Sequence, residues 1–166
     1  RTLIDVDVAL VSVMGANNET GVLMPLAELA GLAHAAGALM HTDATQLIGK
    51  TPFQFAGCGA DLVSVSAHKL HGPKGVGALV VRKGIALPAL LAGRQERRRR
   101  GGTENTPGIA GFAAACERAT RTLSADLEQV SRLRQRLEEG LRHGLPGLHL
   151  YGDQAARLSN TCCVRF

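Results

Sequence analysis

Tryptophan is absent from this chain, and aromatic residues make up only 3% of it. That leaves little for nucleobases to stack on, which argues against a nucleic-acid partner. No apolar run is long enough to span a bilayer, and no charged n-region and apolar h-region mark a secretory leader. A membrane role is therefore not expected. Cysteine is sparse. Cys58, Cys116, Cys162 and Cys163 show neither the paired spacing of a metal site nor a secreted disulfide pattern. Reduced thiols in a cytoplasm are the expectation that follows. His-Glu-x-x-His and Cys-x-x-Cys are both missing, so no metal site is expected. "GPKGVG" lacks the Gly-Lys-Ser/Thr of a P-loop, and "GVGALV" lacks the third glycine of a dinucleotide fingerprint.

The formal net charge of +5 is less general than it looks. The window Arg94 to Thr103 holds five arginines and Glu96 and so carries +4 of it. This is one local patch, not a face shaped for a phosphate backbone. At 166 residues and 45% hydrophobic, the chain has the length of one domain and enough apolar content for a core. It begins at Arg1 rather than methionine and ends directly after the strand-like "TCCVRF". A piece of a longer protein is therefore expected.

Hydrophobic periodicity predicts α/β alternation. Val6 to Met14 reads as a buried strand, and Pro25 to Ala36 as a helix stopped at Gly37. Ala38 to Thr42, Asp61 to Ser66 and Val76 to Val81 read as further strands. The alternation argues for a mostly parallel sheet covered by helices, with only the last pair placed to be antiparallel. From Pro107 the pattern turns helical, as one or two helices in line. Two strand-like segments, "LHLYG" and "SNTCCVRF", follow and suggest a second, smaller unit, with a boundary near Leu123.

The polar residues cluster at strand ends. The first strand runs into Asn17 and Asn18, the second into Asp43 with Gln46 shortly after, the third into Ser66, His68 and Lys69. Ligands of open parallel sheets bind outside the carboxyl ends of the strands. Each group alone has a bland role: an asparagine in a turn, Asp43 as a helix cap, His68 as a structural histidine. Three successive strands delivering polar groups to one edge point instead to a site. A lysine there can lose its proton and attack a carbonyl, and a carboxylate nearby can pair with a protonated ring nitrogen. Those two parts are the arrangement that uses pyridoxal phosphate, with Ser66 and His68 near its phosphate and Gln46 near its phenolic oxygen. Lys74, between Pro73 and Gly75, is a second candidate lysine in a more solvated setting.

The motifs "ANNETGVLMPL", "HTDATQLIGK", "SVSAHKLHGPKGVGAL" and "RRGGTENTPGIAG" occur in order. Together they resemble the cysteine desulfurases of the nitrogen-fixation and iron–sulfur-assembly type, which have the aspartate-aminotransferase fold. The resemblance spans about Ala9 to Phe166. Selenocysteine lyases share nearly all of it, including the "NTC" of Asn160 to Cys162. A non-catalytic relative acting as a scaffold is the alternative of a different class.

The resemblance implies that Lys69 is the Schiff-base lysine, Asp43 the partner of the pyridine nitrogen and Gln46 the contact to the phenolic oxygen. It places Asn18 near cofactor and substrate carboxylate, Ser66 and His68 on the phosphate, and Thr103 on the phosphate of a second subunit in a homodimer. It further implies L-cysteine as substrate, a sulfur-acceptor or scaffold protein as partner, and a catalytic loop cysteine beyond Phe166. Residues 1–123 would belong to the cofactor-binding large domain, and residues 124–166 to a linking helix and the start of a smaller α+β domain. Two departures stand out. Ala92-Gly93-Arg94-Gln95-Glu96 replaces a glycine-richer run, and Arg98 stands where glycine is frequent. A bulky residue resists positive φ, so the loop's backbone is expected to differ there.

Overall fold

The computed structural model describes residues 3–166. Four strands, β1 (Leu10–Met14), β2 (Leu39–Asp43), β3 (Leu62–Ser66) and β4 (Gly77–Val81), form one sheet in the order β1-β2-β3-β4. β1, β2 and β3 are parallel, and β4 returns antiparallel to β3. The fold is thus α/β with a mostly parallel sheet, as the alternation predicts. β1 starts later than Val6 because Asp5 builds a turn: its carboxylate accepts from Asp7 N at 3.1 Å and its carbonyl from Val8 N at 3.2 Å.

Helix α1 (Leu26–Ala35) crosses between β1 and β2. Leu26, Ala30 and Ala33 recur at helical spacing and form its buried stripe. It ends as its composition dictates. Gly37 takes φ +81°, its N–H donates to His34 O at 3.0 Å, and Ala38 N donates to Ala33 O at 2.9 Å. This paired closure satisfies carbonyls that the helix end would orphan. Under the helix lie Met40 and Val63, with Leu47 and Leu158 closing the same core. Burying a side chain such as Met40 stabilises by roughly 1.5–3 kcal/mol.

Among the described residues, one face of β1 is exposed. β1 alternates exposed and half-buried residues, with Leu10, Ser12 and Met14 on the open side. A polar row crosses that face. Ser12 Oγ and His41 Nδ1 are 2.7 Å apart, and His41 Nε2 lies 3.1 Å from Ser64 Oγ.

After β4 comes a single turn, α2 (Gln95–Arg98), in which Glu96, Arg97 and Arg98 have φ of 45°, 57° and 65°. The expectation that bulky residues resist this conformation is corrected here. Gly93 and Gly101 approach so closely that a Cβ on Gly93 would lie 2.4 Å from Gly101 Cα, and the loop closed this way folds back through left-handed residues. Arg94 and Arg97 to Arg100 are all exposed.

Helix α3 (Thr106–Gly144) is one element of 39 residues, about 58 Å long. Asn105 caps it, accepting from Gly108 N at 3.1 Å. The helix runs unbroken through Leu123, where a boundary is expected. Beyond it, β5 (His149–Leu150) pairs antiparallel with β6 (Val164–Arg165). The strands expected here are shorter than the sequence suggests, because the chain turns at Gly152 with φ +72°. The intervening segment docks on the first half of the chain. Leu23 N donates to Ala156 O at 2.9 Å, and Leu158 N to Gly21 O at 2.8 Å. A buried ion pair holds it, with Arg157 reaching both oxygens of Glu138 at 3.1 and 3.2 Å.

Candidate active site

The parallel register aligns the carboxyl ends of β1, β2 and β3. Met14 is level with Asp43, and Asp43 with Ser64. Adjacent strands lie about 4.8 Å apart, so the residues that follow them share one edge. A cleft of about 220 Å³ opens there, lined by Met14, Ala16, Asn18, Asp43, Thr45 and Gln46. Three residues singled out in the sequence, Asn18, Asp43 and Gln46, meet in it.

The two asparagines divide their roles. Asn17 Oδ1 accepts from Glu19 N and Thr20 N, both at 2.9 Å, and builds the turn. Asn18 is exposed and lines the cleft. Asp43 does both kinds of work. Its Oδ1 accepts from Thr45 N at 2.9 Å, and the residue also lines the cleft.

β3 runs directly into a 3-10 turn over Ala67–Leu70. Such a turn has three residues per revolution. Ala67 and Leu70, three apart, point inward and are buried, and His68 and Lys69 are left exposed. Ser66 Oγ and His68 Nδ1 are bonded at 2.7 Å. His71 ends the turn at φ 67°. α3 packs behind it: a Cβ on Gly72 would lie 3.2 Å from Ala115 Cβ, and one on Gly111 3.0 Å from Pro73. The glycine after Val76 has a steric reason of its own, because a Cβ on Gly77 would meet Val65 O at 2.6 Å. That close approach of β4 keeps the end of β3 in place.

Ser66, at the end of β3, and His68 and Lys69, on the turn after it, lie beside the cleft and do not line it, and Lys74, exposed on the turn ahead of β4, does not line it either. Thr103 is exposed in the loop before α3 and is not brought to the other residues. None of the four cysteines lines the cleft. Cys58 Sγ bonds Phe55 O at 3.2 Å, and burial raises the Cys116 and Cys162 thiols above the ordinary range. Among the described residues, no group of three or more His, Cys, Asp or Glu is placed to hold a metal ion, and no helix is long and apolar enough to cross a membrane.

One residue escaped the sequence reading. Lys50 Nζ donates to Gln46 Oε1 at 2.5 Å. Burial, and then repulsion from the Lys69 ammonium, lower the Lys50 pKa below the ordinary lysine range. The four-residue spacing of Gln46 and Lys50 is the signal that could have found it.

The donor set of this edge comprises a primary amine, a carboxylate, an amide and a hydroxyl–imidazole pair. These fit the carbonyl, ring nitrogen, phenolic oxygen and phosphate of pyridoxal phosphate, respectively.

The chain is similar to known proteins along its whole length. The family model for aminotransferase class-V matches residues 1–166. A cysteine desulfurase of Cereibacter sphaeroides is 52% identical over 167 residues, covering 100% of this chain and 42% of that protein. The cysteine desulfurase NifS of Azotobacter vinelandii is 45% identical over 166 residues, covering 99% of this chain and 41% of that protein. Among solved structures, a NifS-like protein superposes with a TM-score of 0.92 at 42% identity, over 99% of this chain and 46% of that one. A NifS-like protein from Rickettsia africae does so at 0.89 and 33% identity, over 93% and 43%. The chain spans 40–42% of the length of the curated relatives it matches.

Proposed function

Because the chain belongs to the class-V aminotransferase family, we propose that it is part of a pyridoxal-phosphate-dependent cysteine desulfurase. The observation that most supports this is the shared edge of three parallel strands. It holds Asn18, Asp43 and Gln46 in one cleft, with the Ser66–His68 pair and Lys69 on the adjoining turn.

In this reading Lys69 holds the cofactor through Nζ and moves protons at the substrate carbon. Asp43 would pair with the ring nitrogen and favour its protonation by opposite charge. Gln46 would donate to the phenolic oxygen, and Asn18 would orient the substrate carboxylate. Ser66 and His68 bind phosphate. When bound, the cofactor supplies an electron sink that stabilises negative charge developing on the substrate. The overall reaction converts L-cysteine to L-alanine. The carbon–sulfur bond breaks, a protein cysteine thiolate forms a sulfur–sulfur bond with the departing sulfur, and the thiol proton is delivered to carbon. The carbon is reduced and the accepting thiolate oxidised to a persulfide. None of Cys58, Cys116, Cys162 and Cys163 lines the cleft, so none of them is proposed as that thiolate.

Thr103, exposed and away from the cleft, serves the phosphate of a second copy in a homodimer. The persulfide sulfur passes to an acceptor or scaffold protein for iron–sulfur cluster assembly in the cytoplasm. The test supplies the complete enzyme with pyridoxal phosphate and L-cysteine, and measures alanine and persulfide. Equal yields of both are expected. Cysteine consumption without alanine would refute the reading.

A further inference from the structure

The carboxamide of Gln46 has two ends of opposite chemistry: Oε1 accepts hydrogen bonds and Nε2 donates them. Which end faces the cleft decides which ligand atom it can serve. Lys50 Nζ sits 2.5 Å from Oε1. An ammonium has three donors and no acceptor, so only the amide oxygen can face it. The reverse flip would set N–H against N–H. Nε2 is therefore the end left for the cleft that Gln46 lines with Asn18 and Asp43.

Local backbone geometry produces this pairing. Ile48 N donates to Ala44 O at 3.0 Å and Thr51 N to Leu47 O at 3.2 Å, so residues four apart in these turns stand on one side. Lys50 is half-buried, which strengthens its hold on the amide by limiting competition from water. Burial, and then repulsion from Lys69, lower the Lys50 pKa, which places Lys69 within electrostatic reach of the pair.

We propose that Lys50 is a positioning residue. By engaging Oε1 it locks Gln46 with Nε2 presented as a donor to an anionic acceptor in the cleft. That acceptor is the phenolic oxygen of pyridoxal phosphate, so this inference rests on the cofactor reading above. Lys50 itself does not touch the cofactor.

The test uses the complete enzyme and the variants Lys50→Met, Lys50→Arg, Gln46→Ala and the double variant Lys50→Met/Gln46→Ala. The readouts are equilibrium affinity for pyridoxal phosphate and the visible absorption band of the bound cofactor. Lys50→Met should weaken binding about tenfold, the scale of one charge-assisted hydrogen bond, and should shift the band. Lys50→Arg, also a donor without an acceptor, should restore most of both. In the Gln46→Ala background, Lys50→Met should add nothing further. Losses that multiply across the two sites would overturn the inference, as would a Lys50→Met enzyme with unchanged affinity and band. A wild-type enzyme that binds no pyridoxal phosphate would overturn the cofactor reading and this inference with it. Normal wild-type binding with a silent Lys50→Met would overturn the inference alone.

Discussion

Replacing Glu138 by Gln removes a buried carboxylate that holds the C-terminal segment to the rest of the chain. Arg157 reaches Glu138 through both terminal nitrogens, at 3.1 and 3.2 Å, and the two side chains are only 6% and 8% exposed. At 3.1 Å and an effective dielectric of about 20, their attraction is about 5 kcal/mol. Desolvation of both ions offsets much of that in the intact pair. The variant, however, leaves a buried guanidinium without its counter-charge, and such a break costs roughly 3–5 kcal/mol. Arg134 adds to the problem, because its buried Nε has no hydrogen-bond partner and lies 3.7 Å from the same carboxylate.

Since the glutamine amide retains one acceptor, the lower end of that range, about 3 kcal/mol, is expected, or a melting shift of about 6–12 °C for a protein of this size. The loss has a place as well as a size. Arg157 bridges to Val22, and its neighbours bond Gly21 and Leu23, in the turn that also carries Asn18. Chemical denaturation gives the magnitude, and hydrogen exchange across residues 17–23 gives the location. Glu138→Met/Arg157→Met should recover part of the loss, because no charge is then stranded between them. A Glu138→Gln protein within about 1 kcal/mol of wild type, with unchanged exchange in that turn, would refute the reasoning.

Three other outcomes are expected. Burial alone would raise the Asp61 carboxyl, but the Met40 N–H, the His34 bond and the charges of His34 and Arg82 outweigh it and hold it below the ordinary range. Its stabilisation is therefore present above an unfolded carboxyl's pKa of about 4 and is lost as pH falls through the lower folded value. Asp61→Asn should flatten that acid limb in urea titrations at pH 6 and pH 3, and parallel limbs would count against the assignment. Asp43→Asn should lower kcat by more than about tenfold while most cofactor remains bound, because the amide cannot favour ring protonation. Wild-type turnover would remove Asp43 from the ring nitrogen. Residues 1–166 alone should form no alanine from L-cysteine, since no cysteine of the chain lines the cleft. Steady turnover would mean that one of those four thiols is the sulfur acceptor.

The sheet was readable from the sequence because its strands are short β-branched runs closed by turn residues, and Val11, Val13 and Val63 pack where periodicity puts them. The convergence of Asn18, Asp43 and Gln46 was readable too, since parallel strands bring their carboxyl ends to one edge. What the sequence did not disclose depends on contacts between distant residues. The docking of Ala156 and Leu158 on Gly21 and Leu23 uses backbone groups, which carry no residue signature. The left-handed run Glu96 to Arg98 contradicts local preference and follows from closure of the loop by Gly93 and Gly101. The Asp61 cluster joins His34, Met40 and Arg82 from three separate elements or their edges. Nothing in its residue type singles out Lys50, because its meaning lies in the amide it faces.

The central claim is that Lys69 holds the cofactor. Borohydride reduction of the complete enzyme loaded with pyridoxal phosphate, followed by proteolysis and mass spectrometry of the labelled peptide, tests it directly. The account predicts a stable pyridoxyl group on Lys69 Nζ, and none in Lys69→Ala. Label on Lys74 or Lys50 instead, undiminished by Lys69→Ala, would contradict it.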